Sequence, residues 1–221
     1  MAMFMIPALN GAGRGAIAPL PQGPQRAANS LPGRTGPLPK GGRALLIADV
    51  ENLTLSARDV SQALHYDRLL GIVAGSFDTI EAHAFFSREV GDASWEDNLG
   101  RFGWITHPRD VITIRTVRGT ERLSNSDNII AFGAGMLATD TRFDIVLLGT
   151  GDGALGCDLA QAIHAVRKDA VAIHTLSFAG STSNRLSSRA NPRIASNAYV
   201  GRDCLSPFAK RIGKEHGKWA G

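Results

Sequence analysis

The chain has 221 residues, of which 43% are hydrophobic, and it carries a formal net charge of +4. This length allows one domain with a hydrophobic core plus terminal extensions, and no stretch approaches the roughly 18 to 20 apolar residues of a membrane span. The apolar start lacks the charged leader of a signal peptide. Two cysteines, Cys157 and Cys204, are too few for a disulfide framework and have no metal-ligand spacing, so we expect a cytoplasmic protein.

The two ends of the chain differ from its body in composition. Residues 1–42 are rich in Gly, Pro and Ala, contain four basic residues and no acidic one, and show no apolar periodicity. We predict a disordered or extended basic arm over 1–42, a domain over 43–205 and a basic tail over 206–221. Basic ends suit contact with a polyanion, although solvated tails have the same composition.

Strand and helix patterns alternate along the predicted domain. The predicted elements are, in order, a strand over 44–48, a helix over 57–76, a strand over 79–86, a short helix capped by Asp92 or Ser94 and ending near Phe102, a strand over 111–117, a helix over 125–138, a strand over 143–149, a helix over 154–168, a strand over 170–177, a short helix after Ser183 and a strand over 198–200. This order predicts a three-layer α/β/α sandwich with a mainly parallel central sheet.

Two of the predicted strands are continuous apolar runs, and an acidic residue closely follows each of them. Asp49 ends the run over 44–48, and Asp152 follows the run over 143–149 within Gly-Thr-Gly-Asp-Gly. Strands buried on both faces are central in a parallel sheet, and ligands bind at the carboxyl ends of such strands. Asp127, which opens a predicted helix, is a third acid expected at this edge. Capping of the next helix is the alternative role for Asp49.

Carboxylates delivered by separate segments to one crevice are the ligands that a hard divalent cation requires. A cation of this kind activates water and stabilises the leaving oxygen in phosphodiester cleavage. The sequence therefore favours metal-dependent chemistry on a phosphate ester. The glycine-rich turn after the run over 143–149 lacks the Lys-Ser/Thr of a P-loop, so it is a weak signal for nucleotide binding.

Four segments resemble motifs of the NYN family, the PIN-like nuclease domains that include the LabA-type proteins. Residues 46–53, Leu-Ile-Ala-Asp-Val-Glu-Asn-Leu, are similar to the opening motif of that family, and 124–127 with its helix to the central motif. Residues 145–153 resemble the strand that ends in Ser-Gly-Asp, and 175–186 resemble the closing strand and the helix beyond. The likeness covers about 43–205, and it depends on the order and spacing of the motifs.

The resemblance implies a PIN-like fold and a ribonuclease that depends on Mg²⁺ or Mn²⁺, with RNA as its partner. It assigns metal binding to Asp49, Asp127 and Asp152, and it gives Asn52 and Thr150 the task of orienting water or phosphate. Whether cutting is endonucleolytic is an expectation that the sequence leaves open, as is the oligomeric state, a homodimer included. The basic side chains expected to contact the RNA backbone are Arg118, Arg122, Arg185 and Arg189.

The arginine assignments depend on local structure. Arg185 and Arg189 share a face if the predicted helix after Ser183 includes both, and a solvated basic face is an equal alternative. Arg118 and Arg122 lie just before the central motif, where the family often has a basic residue and this chain has Ser124.

The chain also departs from the family pattern at two acidic positions. Gly133 stands where the family usually has an acid in the central helix, and Ala154 stands where it has one two residues beyond the third Asp. Fewer carboxylates make a two-metal site less expected. The second hypothesis is therefore a catalytically weakened or inactive module that binds nucleic acid or protein, and a third is a small-molecule phosphohydrolase. The six histidines show no zinc spacing and are expected at the surface or as satisfied polar residues.

Overall fold

The structure, a computed structural model, describes residues 37–116, 119–123, 126–167 and 171–207. Most of the predicted arm and tail lies outside these ranges. The strands are β1 Arg43–Asp49, β2 Gln62–Leu64, β3 Thr79–Arg88, β4 Ile105–Asp110, β5 Ile112–Thr116, β6 Gly119–Leu123, β7 Ile145–Gly149, β8 Ala172–Ser177, β9 Ser196–Tyr199 and β10 Leu205–Pro207. The helices are α1 Val50–Asp59, α2 Tyr66–Ala74, α3 Ser94–Arg101, α4 Ser126–Ala138 and α5 Gly153–Val166. Among the described residues, no helix is long and apolar enough to cross a membrane.

The centre of the fold is a six-stranded parallel sheet in the order β4-β3-β1-β7-β8-β9. From β1 the chain winds outward to β3 and β4, and from β7 it winds in the opposite direction to β8 and β9. The winding therefore reverses between β1 and β7, and a reversal of this kind opens a crevice at the carboxyl ends of the strands. The two apolar runs are adjacent and central, as predicted.

Helices cover both faces of this sheet, which confirms the predicted three-layer sandwich. Leu46 and Ala48 of β1 point into a core formed with α1, α2 and α3, whereas Leu45 and Ile47 point into a second core formed with α4 and α5. Because side chains alternate along a strand, β1 contributes to both cores and is apolar over residues 44–48. The remaining predicted strands and helices, other than those discussed next and the short helix after Ser183, are confirmed with their ends shifted by a few residues.

The predicted helix over 57–76 is wrong. Two helices, α1 and α2, flank the short strand β2, and the chain turns between α1 and β2 at Ser61, whose φ is +57°. Asp49 starts α1 directly after β1, earlier than the apolar pattern indicates. The apolar spacing at 60–73 therefore belongs to parts of separate elements that pack on the same face of the sheet.

The predicted third strand is present but lies outside the central sheet. Residues 112–116 form β5, which pairs with β6 in a separate two-stranded hairpin. One of the two edge strands of the main sheet is β4, which contains Pro108 and has little apolar content. An edge strand tolerates a proline and polar side chains because one of its sides has no strand partner, and this explains why β4 gave no apolar pattern.

Candidate acidic site at the strand carboxyl ends

Asp49 lies at the carboxyl end of β1 and caps α1. Its Oδ1 accepts a hydrogen bond from the backbone N–H of Asn52 at 3.0 Å, so the capping role considered from the sequence is present. The residue is only 5% exposed. Because Asp49 follows Leu45 and Ile47 in the alternation of β1, its side chain lies on the α4 and α5 side of the sheet.

Asp152 holds the equivalent position after β7. Its Oδ1 accepts hydrogen bonds from the backbone N–H groups of Ala154 at 2.6 Å and Leu155 at 3.1 Å, which caps α5. The hydroxyl oxygen of Thr150 accepts the N–H of Asp152 at 3.1 Å and lies 3.5 Å from Oδ2 of Asp49. Thr150 therefore joins the two capping carboxylates across the reversal between β1 and β7.

Asn52 ties the same two segments together from the α1 side. Its side-chain carbonyl oxygen accepts the backbone N–H of Gly151 at 2.7 Å. The structure thus places Asn52 and Thr150 where they fix the loop after β7 against the start of α1. Both predicted polar residues hold the position of the neighbouring acids, which is a role that the sequence alone did not suggest.

The carboxylates of this crevice influence one another electrostatically. The pKa of Asp49 is raised to about 6, first by burial and then by the negative charges of Asp127, Glu51 and Asp152, against the opposing effect of the Asn52 N–H. Asp127 is exposed in the first turn of α4. The three acids predicted from the sequence therefore share one electrostatic environment, joined by Glu51.

The described residues include no group of three or more His, Cys, Asp or Glu side chains with metal-site geometry. A closed cage of three carboxylates is therefore not formed. Mg²⁺ is commonly held by one or two carboxylates with several waters and substrate phosphates completing its octahedron. The donor chemistry of Asp49 and Asp152 fits a site of this open, water-rich kind, and it does not fit a cage made of protein ligands alone.

The glycines around Asp152 serve close packing. A Cβ on Gly153 would overlap Oγ of Ser183, and a Cβ on Gly156 would lie 2.6 Å from Cδ2 of Leu186. The backbone N–H of Ser183 also donates to the carbonyl oxygen of Gly151 at 3.0 Å. Glycine is needed at these positions because the segment 181–186 packs closely against α5. Binding of a phosphate is not needed to explain them.

Gly133 and Ala154, the two positions at which the sequence departs from the motifs it resembles, have different surroundings. A Cβ on Gly133 would lie 2.8 Å from Cε1 of Phe85, so this position of α4 faces the sheet and has no room for a carboxylate. Ala154 is exposed in the first turn of α5, two residues after Asp152. Only Ala154 therefore lies where an added acid could join the crevice.

The predicted arginines are not brought together into one surface by the described residues. Arg118 lies outside these residues, and Arg122 is placed in β6 by its backbone. Arg185 and Arg189 are both exposed. The helix expected to align them is wrong, because the segment forms only a 3₁₀ turn over Asn184–Leu186.

Local hydrogen bonds explain why that helix stops. Ser183 caps the turn, and the Ser187 hydroxyl oxygen accepts the N–H of Ala190 at 3.2 Å, a side-chain contact that competes with helical pairing. Leu186 and Ile194 are both buried in the α4 and α5 core, and this fixes the path of the chain between them.

A polar chain that the sequence did not reveal lies on the same face of the sheet as Asp49. Nδ1 of His83 lies 2.8 Å from Nε2 of His107, and Nε2 of His83 lies 2.8 Å from Oε1 of Glu81. In the strand register Phe85 stands between Asp49 and His107. Burial lowers the pKa of His107, and His83 adds to this effect. The sequence does place Glu81 and His83 on one face of a predicted strand. It does not show that this strand pairs with β4, which brings His107 beside His83.

No protein-family model matches the chain, and no curated protein matches it. A crystal structure of a Vibrio parahaemolyticus protein of unknown function is similar, with a TM-score of 0.58 and 17% sequence identity. The similarity covers 75% of this chain and 96% of that one. At this identity the likeness concerns the fold alone.

Proposed function

We propose that this protein is a metal-dependent ribonuclease of the NYN/PIN-like type, which hydrolyses phosphodiester bonds in RNA with Mg²⁺ or Mn²⁺. One observation carries the proposal. Asp49, buried at the reversal point of the sheet, has its pKa raised to about 6 by burial and by three neighbouring carboxylates. A strongly perturbed acid in a strand-end crevice is typical of a functional site, because such an arrangement opposes stability. A divalent cation would offset the repulsion among these charges.

The roles of the residues follow from their contacts. Asp49 and Asp152 would hold the cation, with exposed Asp127 contributing charge from α4. The bound cation would supply an activated water and would stabilise the leaving oxygen. Thr150 and Asn52 set the spacing of the two capping carboxylates through their hydrogen bonds. The exposed side chains of Arg185 and Arg189 are proposed to contact the RNA backbone independently of base sequence.

The thiols agree with the proposed cytoplasmic setting. Cys157 and Cys204 are both free, and Cys204 is buried. A buried free thiol behaves as a small apolar residue and is compatible with a reducing compartment.

Cleavage of end-labelled single-stranded RNA in the presence of Mn²⁺ tests the nuclease proposal. Asp49→Asn and Asp152→Asn retain a good helix-capping side chain but lose the charge, so both variants should fold and lose activity by about 100-fold or more. Asp158→Asn, which removes an exposed acid of α5, is the matched control and should cleave like the wild type. Equal cleavage by all four proteins would indicate a contaminating nuclease and would overturn the proposal.

A second candidate function is an RNA-binding module without turnover. Two observations favour it: Ala154 leaves the crevice with one acid fewer than the family pattern, and the described residues form no three-carboxylate cluster. Salt-sensitive RNA binding with no cleavage at any Mn²⁺ or Mg²⁺ concentration would support this function. Metal-dependent turnover that disappears in Asp49→Asn would exclude it.

A further inference from the structure

Helix α4 has an apolar surface on the side that faces away from the sheet. Phe132 and Met136, one turn apart, are 73% and 61% exposed. On the opposite side of the helix, Ile130, Ala134 and Ala138 are buried in the core formed with α5. The helix has no charged residue between positions 128 and 138. A helix that is apolar all round is normally buried on all sides, so the outer side of α4 is expected to have a partner.

The outer side of α4 consists of a ridge beside a groove. Phe132 and Met136 form a row of large side chains at i and i+4, and Ala131 and Gly135 form the adjacent row of small ones. Ala131 is exposed, and a Cβ on Gly135 would meet nothing within 4 Å, so the groove is open. In the commonest class of helix packing, the i±4 ridges of one helix enter the i±4 grooves of another at an angle of about −50°. One side of α4 therefore carries both halves of such a contact.

The chemistry of this surface indicates the kind of partner that it fits. Nucleic acids are bound through basic side chains, and a helix that lies on a membrane surface has Lys and Arg on its polar side. The outer side of α4 has neither. A ridge and a groove on the same face are complementary to each other, and this self-complementarity is what a two-fold interface between identical chains requires.

The size of the apolar surface indicates how strong such a contact would be. Helix α4 is about 20 Å long. The exposed side chains of Ile105 in β4 and Val166 in α5 add apolar area on the same side of the sheet, since Ile105 aligns with His83 in the strand register. Stable dimers bury about 1,200 to 2,000 Å² in total, and a contact centred on two crossing helices lies near the lower end of this range. The expected complex is a weak dimer with a Kd of about 1 to 100 μM.

We propose that α4 forms a two-fold dimer interface, in which Phe132 and Met136 of each chain pack into the groove at Ala131 and Gly135 of the other. The inference goes beyond the proposed nuclease activity and does not depend on it. Asp127, at the start of α4, lies about 10 Å along the helix from the crossing point, so dimerisation and cleavage can be tested separately.

Sedimentation velocity of the full chain at about 1 to 300 μM measures self-association over the range of the expected Kd. Reducing buffer is used because the chain has free thiols, and RNA and divalent cations are left out. The wild type should change from monomer to dimer. Phe132→Lys places a charge in the contact and should raise the Kd by about 30-fold or more. Val90→Lys is the matched control, because Val90 is 76% exposed in the turn after β3, and this variant should dimerise like the wild type.

Ala131→Leu distinguishes ridge-into-groove packing from unspecific apolar association. The change adds apolar area but fills the groove, so the Kd should rise by about tenfold. Tighter association of this variant would overturn the proposed packing. Met136→Lys should weaken the dimer as Phe132→Lys does. Both positions are exposed, so the two variants should keep the fold, and either one alone is sufficient for the test.

Three further results would overturn the inference. A wild type that stays monomeric at about 300 μM lacks a dimer of the expected strength. Equal dimerisation of the wild type and Phe132→Lys would place the interface on another surface. A monomeric wild type whose binding to labelled RNA is lost in Phe132→Lys would assign this side of α4 to RNA.

Discussion

Two buried charged residues lie at opposite edges of the sheet, and their surroundings differ sharply. Arg167, 4% exposed, follows α5 and donates to the carbonyl oxygens of Ala138, Asp140 and Phe143 at 3.1, 2.8 and 2.9 Å. Asp49, 5% exposed, has a backbone N–H at 3.0 Å and the Thr150 hydroxyl at 3.5 Å, and burial together with other carboxylates raises its pKa. One buried charge is satisfied and the other is opposed by its neighbours.

The difference separates a charge that stabilises the fold from one that the fold disfavours. Arg167 donates to carbonyl groups at the end of α4 and in the turn before β7, where the helix terminus favours a positive charge. Asp49 would be more stable as a neutral group, so folding alone does not account for its charge. The charge at the amino-terminal edge of the sheet contributes to stability, and the charge at the carboxyl edge is where we propose that a cation binds.

The largest effect on stability is expected from Arg167→Ala. This change removes three hydrogen bonds from a charged donor and leaves their carbonyl acceptors buried, so the free energy of unfolding should fall by about 3 to 5 kcal/mol. Urea denaturation measures the loss, and exposed Arg189→Ala should change stability by less than about 0.5 kcal/mol. A loss below about 1 kcal/mol for Arg167→Ala would remove the contrast with Asp49.

Asp49→Asn should raise the free energy of unfolding near neutral pH, whereas Arg167→Ala should lower it. Between the ordinary pKa of 3.8 and the folded-state pKa of about 6, the folded protein binds more protons than the unfolded chain, so wild-type stability falls as pH rises through this window. The variant has no carboxylate at position 49, so its stability does not fall in this way. We expect it to be more stable by up to about 3 kcal/mol above pH 6 and to lose that gain towards pH 4.

Denaturation curves collected over this pH range measure the gain. A variant that is less stable than the wild type at neutral pH would mean that the protein already stabilises the charged form of Asp49, and the comparison with Arg167 would fail.

Gly133→Ala tests whether this position of α4 belongs to the core. The added methyl would lie 2.8 Å from the Phe85 ring, so overpacking should reduce stability by about 1 to 3 kcal/mol. Gly135→Ala is the matched control in the same helix, since a Cβ there meets nothing within 4 Å, and it should raise stability by about 0.5 to 1 kcal/mol. Similar values for both variants would contradict the assignment of Gly133 to the core.

The smallest effect on stability is expected from Ala154→Asp. An exposed carboxylate in the first turn of α5 gains about 0.3 to 1 kcal/mol from the helix terminus, and repulsion from Asp152 reduces that gain. Added Mn²⁺ should raise the melting temperature of this variant more than that of the wild type, because a further ligand strengthens cation binding. Ala154→Asn is the uncharged control. An equal Mn²⁺ shift in all three proteins would exclude position 154 from the cation site.

The central part of the fold was predictable because a strand that is buried on both faces has a continuous apolar sequence. The runs in β1 and β7 are apolar without alternation, and this pattern alone indicated adjacent central strands. The edge strand β4 has no such apolar run. Its polar residues and Pro108 are tolerated because it lies at the edge of the sheet. The break at Ser61 depends on a turn that propensity does not reveal.

The candidate site was predictable in its acids and not in its supporting contacts. Positions immediately after apolar strands are fixed by topology, so Asp49 and Asp152 could be placed from the sequence. The orientation of Gly133 towards Phe85 depends on the rotation of α4 against the sheet. The contact of His83 with His107 depends on which strands pair, and a single sequence carries neither kind of information.

Calorimetric titration of Mn²⁺ into the wild type and Asp49→Asn tests the central claim most directly. The wild type should bind Mn²⁺ at one site, with affinity that weakens as pH falls below about 6 because protons compete for Asp49, and with proton release on binding. Asp49→Asn should lose this binding. Identical isotherms for the two proteins, or no binding by the wild type at millimolar Mn²⁺, would contradict the account.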